Sequence, residues 1–428
     1  MGRTLFIILT CSIMFASCSN EDLSYTHDSA SHGTNGRISI EQAKNNAMEF
    51  VNNISSKTRG SNSSLEILNI EPAVINEEIT RSTDDNKSIT NDTLFYVINF
   101  KNNQGYVIAS AYDCLPSVVA YIENGNMKRS EVDYYIGNNN VKPTDNPGYE
   151  AYMSTVLDIY LHDKGIYHKD PNIDLDWSGT GGGGSYNTDE FTIIKPLLTT
   201  QWDQGSYSQY CPGPYTGCVV TAVSQICSYL KFPTRLSQFS NEDPTHRTMD
   251  WERINYECAA NNGNPYSNDL IDQISHLMRY WGLLFNANYS SGGTDVDSDN
   301  AISILRQRKY DVTPLYRYDG SEIINNLKAG NRIVYMRGNG RYYHVWFFKR
   351  IYVDGHAWVV DGYIHQKKNR KVSEYLHCNW GWGPYNHNGY FLRDVFNAEE
   401  DPYYDDEGQP TRSKNFRYQL EMAVFKRK

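Results

Sequence analysis

The stretch GPYTGCVVTAVSQI, from Gly213 to Ile226, decides the fold of the second half of this chain. From Cys218 onward, apolar residues recur at the spacing of one helix face, and Pro233 ends the pattern. Because Gly217 comes directly before the cysteine, the sequence predicts a helix that begins at or beside Cys218. The unpaired N–H groups and partial positive charge of a helix start favour a thiolate, which would make this sulfur nucleophilic.

Three interpretations of Cys218 remain open from this stretch alone. The thiol can be a small buried hydrophobe, half of a disulfide or a nucleophile. The eight cysteines of the chain are scattered without any C-x-x-C pair, which argues against a zinc site. Cys211 is the nearest disulfide partner in sequence. Cys227 falls about half a turn round the helix axis from Cys218, so we expect it to pack in the core.

A thiolate nucleophile needs a histidine that holds its proton and returns it to the leaving group. The segment DGHAWVVDGY, residues 354–363, alternates like a strand and places small residues on both sides of His356. His344 is the rival, but it lies among bulky aromatic residues. The next predicted strand ends at Asn379, and the resulting hairpin would bring an asparagine carbonyl beside the imidazole. That carbonyl would orient the ring, which is the third role in a catalytic triad.

The residues around this predicted hairpin complete an acyl-transfer site. Trp380 and Trp382 follow the asparagine, and their indole rings would exclude water from a histidine–asparagine hydrogen bond. Trp382 fits an ordinary aromatic core equally well. Such a site also needs donors for the developing oxyanion. The N–H of Cys218 is one donor, and the side chain of Gln201 or Gln204 is the other. Gln204 is preferred because a glycine follows it on a turn.

Three blocks of the sequence resemble the streptopain family of papain-like cysteine peptidases. They are residues 202–205, residues 216–233, and residues 355–362 together with 379–383. The resemblance implies Cys218 as nucleophile, His356 as general acid and base, Gln204 in the oxyanion hole, and Asn379 and Trp380 as neighbours of the histidine. It selects His356 over His344. Residues expected to line the substrate site are Gly217, Gly355, Trp380 and Trp382.

The same resemblance predicts the fold and the domain order. We expect an α+β protein, in which a small α+β propeptide domain precedes a papain-like catalytic domain made of a helical half and an antiparallel sheet half. The predicted boundaries are a signal segment over 1–18, a propeptide over 19–177, a glycine-rich activation linker over 178–190 and the peptidase domain over 191–428. The linker can equally be a plain spacer.

The N-terminus has the pattern of an export signal. A basic residue precedes a short apolar core, and small residues lie directly before Cys18. This pattern resembles a bacterial lipobox, so we expect Cys18 to carry a lipid; ordinary signal-peptidase cleavage is the alternative. The expected location is the outer membrane, at the cell surface, with release of the enzyme possible after processing.

Composition narrows the class of function. The formal net charge of −10 argues against a nucleic-acid binder, and a hydrophobic fraction of 39% is sufficient for a packed core. The expected partners are protein or peptide substrates and the chain's own propeptide, with membrane contact only through the lipid. Neither a metal nor an organic cofactor is expected. Two other functions stay open: an inactive surface binding module, and a thiol-dependent acyltransferase or deamidase.

Overall fold

A computed structural model describes the parts of the chain that carry the fold and the site. The described residues are 36–58, 65–75, 92–113, 115–136, 144, 146–163, 189–236, 248–345, 349–369, 371–396 and 418–428. Residues 37–428 form one compact unit. Cys18 and the glycine-rich run lie outside the described residues, so the predictions made for them stay predictions. No helix in the described part is long and apolar enough to cross a membrane.

The described part contains eight α-helices and thirteen strands. The helices are α1 (Ile40–Thr58), α2 (Arg129–Tyr135), α3 (Pro147–Asp163), α4 (Cys218–Leu230), α5 (Trp251–Ala260), α6 (Asn268–Leu284), α7 (Ser298–Gln307) and α8 (Gly320–Lys328). The strands are β1 (Ile67–Ile75), β2 (Asp92–Phe100), β3 (Tyr106–Ser110), β4 (Val118–Ile122), β5 (Glu190–Ile194), β6 (Asn288–Tyr289), β7 (Thr294–Asp295), β8 (Tyr316–Arg317), β9 (Arg332–Val345), β10 (Lys349–Lys368), β11 (Lys371–Asn379), β12 (Gly389–Leu392) and β13 (Tyr418–Lys426).

One large sheet runs through both the predicted propeptide and the predicted catalytic domain. Its strand order is β1-β2-β3-β4-β12-β11-β10-β9-β13-β8, with β5 paired to β10. The junction is the antiparallel pairing of β4 with β12, in which Gly389 faces Ile122 and Phe391 faces Ala120. The mixed helix and antiparallel-sheet class is therefore confirmed. Strands β1–β4, which lie in the predicted propeptide, extend the sheet of the second half and do not form a separate sheet.

Side-chain alternation in the central strands supplies two hydrophobic cores. Successive strand residues point to opposite faces of a sheet. On one face, Trp358 and Val360 join a cluster that includes α1, α3 and α8, so it contains most of the propeptide's buried residues. On the other face, Ala357 and Val359 join a cluster with α4, α5, α6 and α7. The sheet thus separates a propeptide-side core from a helix-side core.

Local contacts fix the elements at both ends of the described part. Ser39 Oγ accepts the Gln42 N–H at 3.2 Å and caps the start of α1. Strands β2 and β3 form a hairpin, and β4 pairs with β3 on its other side. The last strand, β13, returns to the sheet and pairs with β9.

Candidate active site

Helix α4 begins at Cys218, as the sequence predicts. The preceding Gly217 has φ +94°, a conformation that glycine adopts readily and other residues rarely do. A Cβ at this glycine would lie 3.1 Å from the Thr294 carbonyl oxygen, so β7 packs directly against the approach to the cysteine. The helix is buried on every side from Val219 to Tyr229. The sequence pattern predicts one buried face of α4. A second face of this helix is also buried, because the sheet and α6 both pack on α4.

The Cys218 thiol is half-buried and lies beside the backbone of the predicted histidine. Burial raises the pKa of the thiol, while hydrogen bonds from the N–H groups of Ala357, Val219 and Cys218 itself lower it. The nearby carboxylate of Asp295 raises the pKa further. The helix-start N–H groups therefore act in the predicted direction, but burial outweighs them, and the net pKa lies above the ordinary value. The Ala357 N–H belongs to the residue next to His356.

The His356 imidazole is buried against the carbonyl of Trp380. Its Nε2 lies 2.9 Å from the Trp380 oxygen. The ring turns to the same side of β10 as Trp358, two residues on, and the two rings stack at 6.1 Å between centroids. Burial lowers the pKa of His356 to about 4, partly opposed by the Trp380 carbonyl. A thiol with a raised pKa and an imidazole with a lowered one both favour their neutral forms. The rival His344 lies in a stretch whose side chains are outside the described part.

The segment of Gln204 is fixed against the helix start. Gln204 is 7% exposed, and its carbonyl oxygen accepts the Thr216 N–H at 2.8 Å. Among the residues that the structure describes, no hydrogen bond of its side-chain amide is found, and its role as an oxyanion donor stays a prediction. Asp203 forms an antiparallel bridge with Trp382. Two backbone contacts therefore position this glutamine between the helix start and the segment after β11.

Asn379 ends β11, where its partner in the ladder is Val359 and not His356. Its Nδ2 donates to the Thr200 carbonyl at 2.8 Å and to Gln225 Oε1 at 3.1 Å. Its Oδ1 accepts from Gln225 Nε2 at 3.1 Å and from the Gly381 N–H at 3.2 Å. In this state of the protein the asparagine amide thus bridges three segments, and the contact to the imidazole stays a prediction.

The residues expected to line the substrate site have different surroundings. Trp380 is fully buried, and its Nε1 donates to the His387 carbonyl at 3.1 Å. Trp382 is partly exposed, with an indole N–H that has no partner among the described residues. Gly355 is exposed, and a Cβ there would lie 2.8 Å from Asn339 Oδ1. Trp382 and Gly355 are therefore the more accessible members of this set.

The predicted propeptide covers the Trp380 side of the site. Gly148, at the start of α3, is so close to this indole that a Cβ would lie 2.2 Å from Trp380 Cε3. His387 is buried beside it, stacked on Tyr149 at 4.0 Å between ring centroids. The Tyr106 hydroxyl lies 2.8 Å from His387 Nδ1. Both tyrosines belong to the predicted propeptide, so His387 anchors one part of the chain to the other.

A second buried polar cluster joins the two parts further along the sheet. His377 Nδ1 lies 2.6 Å from Asp361 Oδ1, and His377 Nε2 lies 3.3 Å from Glu123 Oε2 in the predicted propeptide. Burial opposes protonation of His377, but the two carboxylates, chiefly Asp361, raise its pKa to about 10. Asp361 Oδ2 also accepts the Leu198 N–H at 2.9 Å. The cluster therefore contains an imidazolium.

The amino-acid sequence alone did not predict a role at the site for Gln225, His387 or the Asp361–His377 pair. A signal existed for Gln225, because a large amide stands in a helix whose other residues are apolar or small. The histidines carried no comparable signal, since their partners are distant in sequence. Cys211 and Cys218 are both free thiols, and so are the other three described cysteines. No group of three or more His, Cys, Asp or Glu side chains in the described part is arranged to hold a metal ion.

Comparison with known proteins identifies two matching family models. Residues 202–391 match the model of the peptidase C10 family, and residues 35–136 match the model of the Spi protease inhibitor. Thiol protease/hemagglutinin PrtT of Porphyromonas gingivalis is 24% identical over 343 residues, which cover 70% of this chain and 34% of that protein. This chain thus corresponds to about a third of that relative. Streptopain of Streptococcus pyogenes serotype M28 is 22% identical over 394 residues, 83% of this chain and 85% of streptopain.

Solved structures give a weaker similarity. Prointerpain A of Prevotella intermedia has 18% sequence identity and a TM-score of 0.47, over 82% of this chain and 97% of that chain. Active interpain A from the same organism has 21% identity and a TM-score of 0.35, over 54% of this chain and 94% of that chain.

Proposed function

Because the chain belongs to the peptidase C10 family of cysteine peptidases, we propose that it is the zymogen of a secreted cysteine endopeptidase. The catalytic domain is residues 191–428, and the propeptide is residues 19–177. The observation that carries the proposal is the position of the Cys218 thiol at a helix start, hydrogen-bonded to the N–H beside His356. A helix-start thiol next to a histidine is the arrangement that nucleophilic catalysis requires.

The reaction follows from these groups. The Cys218 thiolate attacks the carbonyl carbon of a peptide bond, and the carbonyl oxygen becomes an oxyanion. The Cys218 N–H and the Gln204 side-chain amide donate hydrogen bonds to that oxyanion. His356, which holds the thiol proton, gives it to the leaving amine as the C–N bond breaks, and a thioester remains. Water then loses a proton to His356 and attacks the thioester, which releases the acid product and regenerates the thiol.

Asn379 takes its part in the processed enzyme. There the His356 ring turns from the Trp380 carbonyl towards the sulfur, and Asn379 orients it. Trp380 covers that contact. Gly217, Gly355 and Trp382 contact the substrate backbone and side chains. No metal or organic cofactor takes part in these steps.

The propeptide keeps this site silent in the zymogen. A raised thiol pKa and a lowered imidazole pKa make the reactive thiolate–imidazolium pair unfavourable. The His356 ring lies on the propeptide side of β10 and contacts the backbone carbonyl oxygen of Trp380. Gly148 of the propeptide packs on the indole of the same tryptophan. Removal of the propeptide would let water reach the imidazole and would free the ring to turn. Cleavage in the glycine-rich linker, residues 178–190, is the first step of this activation.

Export and anchoring complete the proposal. A lipid on Cys18 would hold the zymogen at the outer membrane on the cell surface, and a cut in the linker would break the covalent connection between the peptidase and that anchor. Labelling cells with a radioactive fatty acid tests the lipid, with Cys18→Ser as the unlabelled control. A wild-type chain that takes up no label would reject lipidation in favour of ordinary signal-peptidase cleavage.

Self-processing tests the peptidase itself. Wild type, Cys218→Ala and Cys211→Ser are incubated, and the fragments are measured by mass spectrometry. We expect wild type and Cys211→Ser, which keeps the proposed nucleophile, to give a product that starts between about Gly179 and Phe191, within the predicted linker. The Cys218→Ala chain should stay intact. Maturation of Cys218→Ala at the wild-type rate would contradict self-processing.

Hydrolysis of casein by the processed enzyme separates the proposal from the other two functions. A binding module would show no hydrolysis, and its Cys218 would react with iodoacetamide no faster than a free peptide thiol. An acyltransferase or deamidase would show a reactive thiol without cleavage of casein. Either outcome would replace the endopeptidase proposal.

A further inference from the structure

Gln225 is a buried amide that lies two helical turns beyond Cys218 on α4. It is 0% exposed, although its neighbours in the helix core are mostly apolar. A buried amide that loses its partners is strongly unfavourable, so its hydrogen bonds determine what it holds together. Those bonds leave the helix on two sides.

On the first side, Gln225 is hydrogen-bonded to the segment that contains Gln204, the proposed oxyanion donor. Gln225 Oε1 accepts the backbone N–H of Trp202 at 3.0 Å. Two residues on, Gln204 is held by its carbonyl bond to the Thr216 N–H, and Asp203 is bridged to Trp382. The Gln225 bond therefore links the body of α4 to the backbone that carries Gln204.

The second side reaches the end of β11. The amides of Gln225 and Asn379 form a reciprocal pair: Nε2 of the glutamine donates to Oδ1 of the asparagine, and Nδ2 of the asparagine donates back to Oε1, each at 3.1 Å. Asn379 is in turn bound to the Thr200 carbonyl at 2.8 Å. The Gln225 side chain thus fixes both the segment of Gln204, which precedes α4 in the chain, and the end of β11, which follows His356.

We infer that Gln225 is a positioning residue for the peptidase reaction: it sets the Gln204 segment and Asn379 in register with the helix of Cys218. The inference rests on the proposed function and adds a group that does not touch the substrate. A displacement of about 1 Å in a catalytic group can cost roughly 10²-fold in rate. Loss of the Gln225 bonds would remove the link of this segment and of the asparagine to α4 and allow both to shift, although each keeps its other contacts. The helix start and its thiol keep their own contacts.

The test compares Gln225→Met, which has a similar volume and no hydrogen bonds, with Gln225→Glu, which keeps an acceptor for the Trp202 N–H. Ser224→Ala is the matched control, because Ser224 is equally buried on the same helix and its Oγ has no partner among the described residues. Each full-length chain is processed by tagged wild-type enzyme, which is then removed. Three quantities are measured: kcat and KM for a peptide, the affinity for a peptide aldehyde, and the rate of Cys218 alkylation by iodoacetamide.

These quantities separate positioning from general stability. An aldehyde binds as a hemithioacetal whose oxygen occupies the oxyanion site, whereas iodoacetamide alkylation needs only the thiolate. We expect Gln225→Met to lower kcat and aldehyde affinity by roughly 10²-fold, with alkylation close to wild type. Gln225→Glu should recover most of the aldehyde affinity, and Ser224→Ala should match wild type in all three quantities.

Two results would overturn the inference. Either Gln225→Met keeps wild-type kcat and aldehyde affinity, or its alkylation rate falls as far as kcat does, which would indicate general damage to the fold. If Gln225→Met cannot be obtained folded, the decision rests on Gln225→Glu, with Asn379→Ala as the reference for a lost contact. On a logarithmic scale, the aldehyde affinity of Gln225→Glu must then lie closer to that of wild type than to that of Asn379→Ala. A wild-type enzyme that hydrolyses neither peptide nor casein would reject the proposed function instead, independently of these comparisons.

Discussion

Acidification should weaken the zymogen through His387, the histidine that is stacked on Tyr149 and bonded to the Tyr106 hydroxyl. These two propeptide side chains are the titratable groups that face the ring. Burial alone lowers the pKa of His387 to about 4, from an ordinary value of 6.5. A depressed histidine pKa means that the unfolded chain binds a proton that the native chain rejects. The stabilisation is therefore present above pH 6.5 and is lost as the pH falls towards 4.

The size of the effect follows from the two pKa values. Each unit of pKa difference corresponds to about 1.4 kcal/mol. At pH 5 the unfolded form of His387 is almost fully protonated and the native form almost neutral, so the free energy of unfolding falls by about 2 kcal/mol relative to pH 7.5. His356, whose pKa is also about 4, adds a similar loss. His377 acts in the opposite direction: its native pKa of about 10 keeps it protonated in the native chain at both pH values, while the unfolded form gains its proton between pH 7.5 and pH 5. The stabilisation by His377 is therefore larger at pH 5 and offsets part of the loss in the parent and in the His387→Gln chain alike.

Denaturant unfolding at pH 7.5 and pH 5 measures this loss. The full-length chain carries Cys218→Ala to prevent self-processing, and His387→Gln is compared with the parent. We expect the parent to lose about 2 kcal/mol more than His387→Gln between the two pH values. His356→Gln serves as the internal control and should remove a similar part of the loss of stability between pH 7.5 and pH 5. Equal pH dependence in the parent and His387→Gln would refute the argument that burial of this ring sets the acid sensitivity.

Two further predictions address the thiol and the propeptide contact. Asp295→Asn removes a carboxylate that raises the pKa of Cys218, so the pH profile of iodoacetamide alkylation should move to lower pH; an unchanged profile would exclude the electrostatic effect. Gly148→Ala places a methyl group against Trp380 and should destabilise the zymogen by about 1–3 kcal/mol and accelerate its processing. Its control, Gly292→Ala, meets no atom within 4 Å and should leave stability unchanged; equal stability of the two variants would contradict the close contact.

The sequence predicts the local parts of this site well, because they depend on neighbouring residues. Gly217 before an apolar helical pattern is sufficient to place the start of α4 at Cys218. The strand around His356 and the hairpin that ends at Asn379 are likewise visible as alternation and a polar turn. In each case the signal extends over a few residues, where backbone conformation and periodicity decide the structure.

The parts that the sequence did not predict depend on distant partners. The pairing of β4 with β12 joins Ala120 to Phe391, and no local pattern selects one strand edge over another. Gln225 is buried because other elements cover the second side of α4, which a helical pattern with one apolar face does not indicate. The contact of His356 with the Trp380 carbonyl depends on the orientation of a ring, and residue type and spacing do not determine that orientation.

The shared sheet changes what activation must accomplish. A cut in the linker breaks one covalent connection, but it leaves the β4–β12 ladder, the contact of Gly148 with Trp380 and the ring stack on His387 unchanged. The propeptide would therefore stay bound after the first cut, with its sheet edge and apolar face still covered. Its departure needs a second event that weakens these contacts, such as further proteolysis or protonation of His387. Because the Trp380 carbonyl contacts His356 and the Trp380 indole packs against Gly148, we expect the step that releases the propeptide to free the imidazole as well.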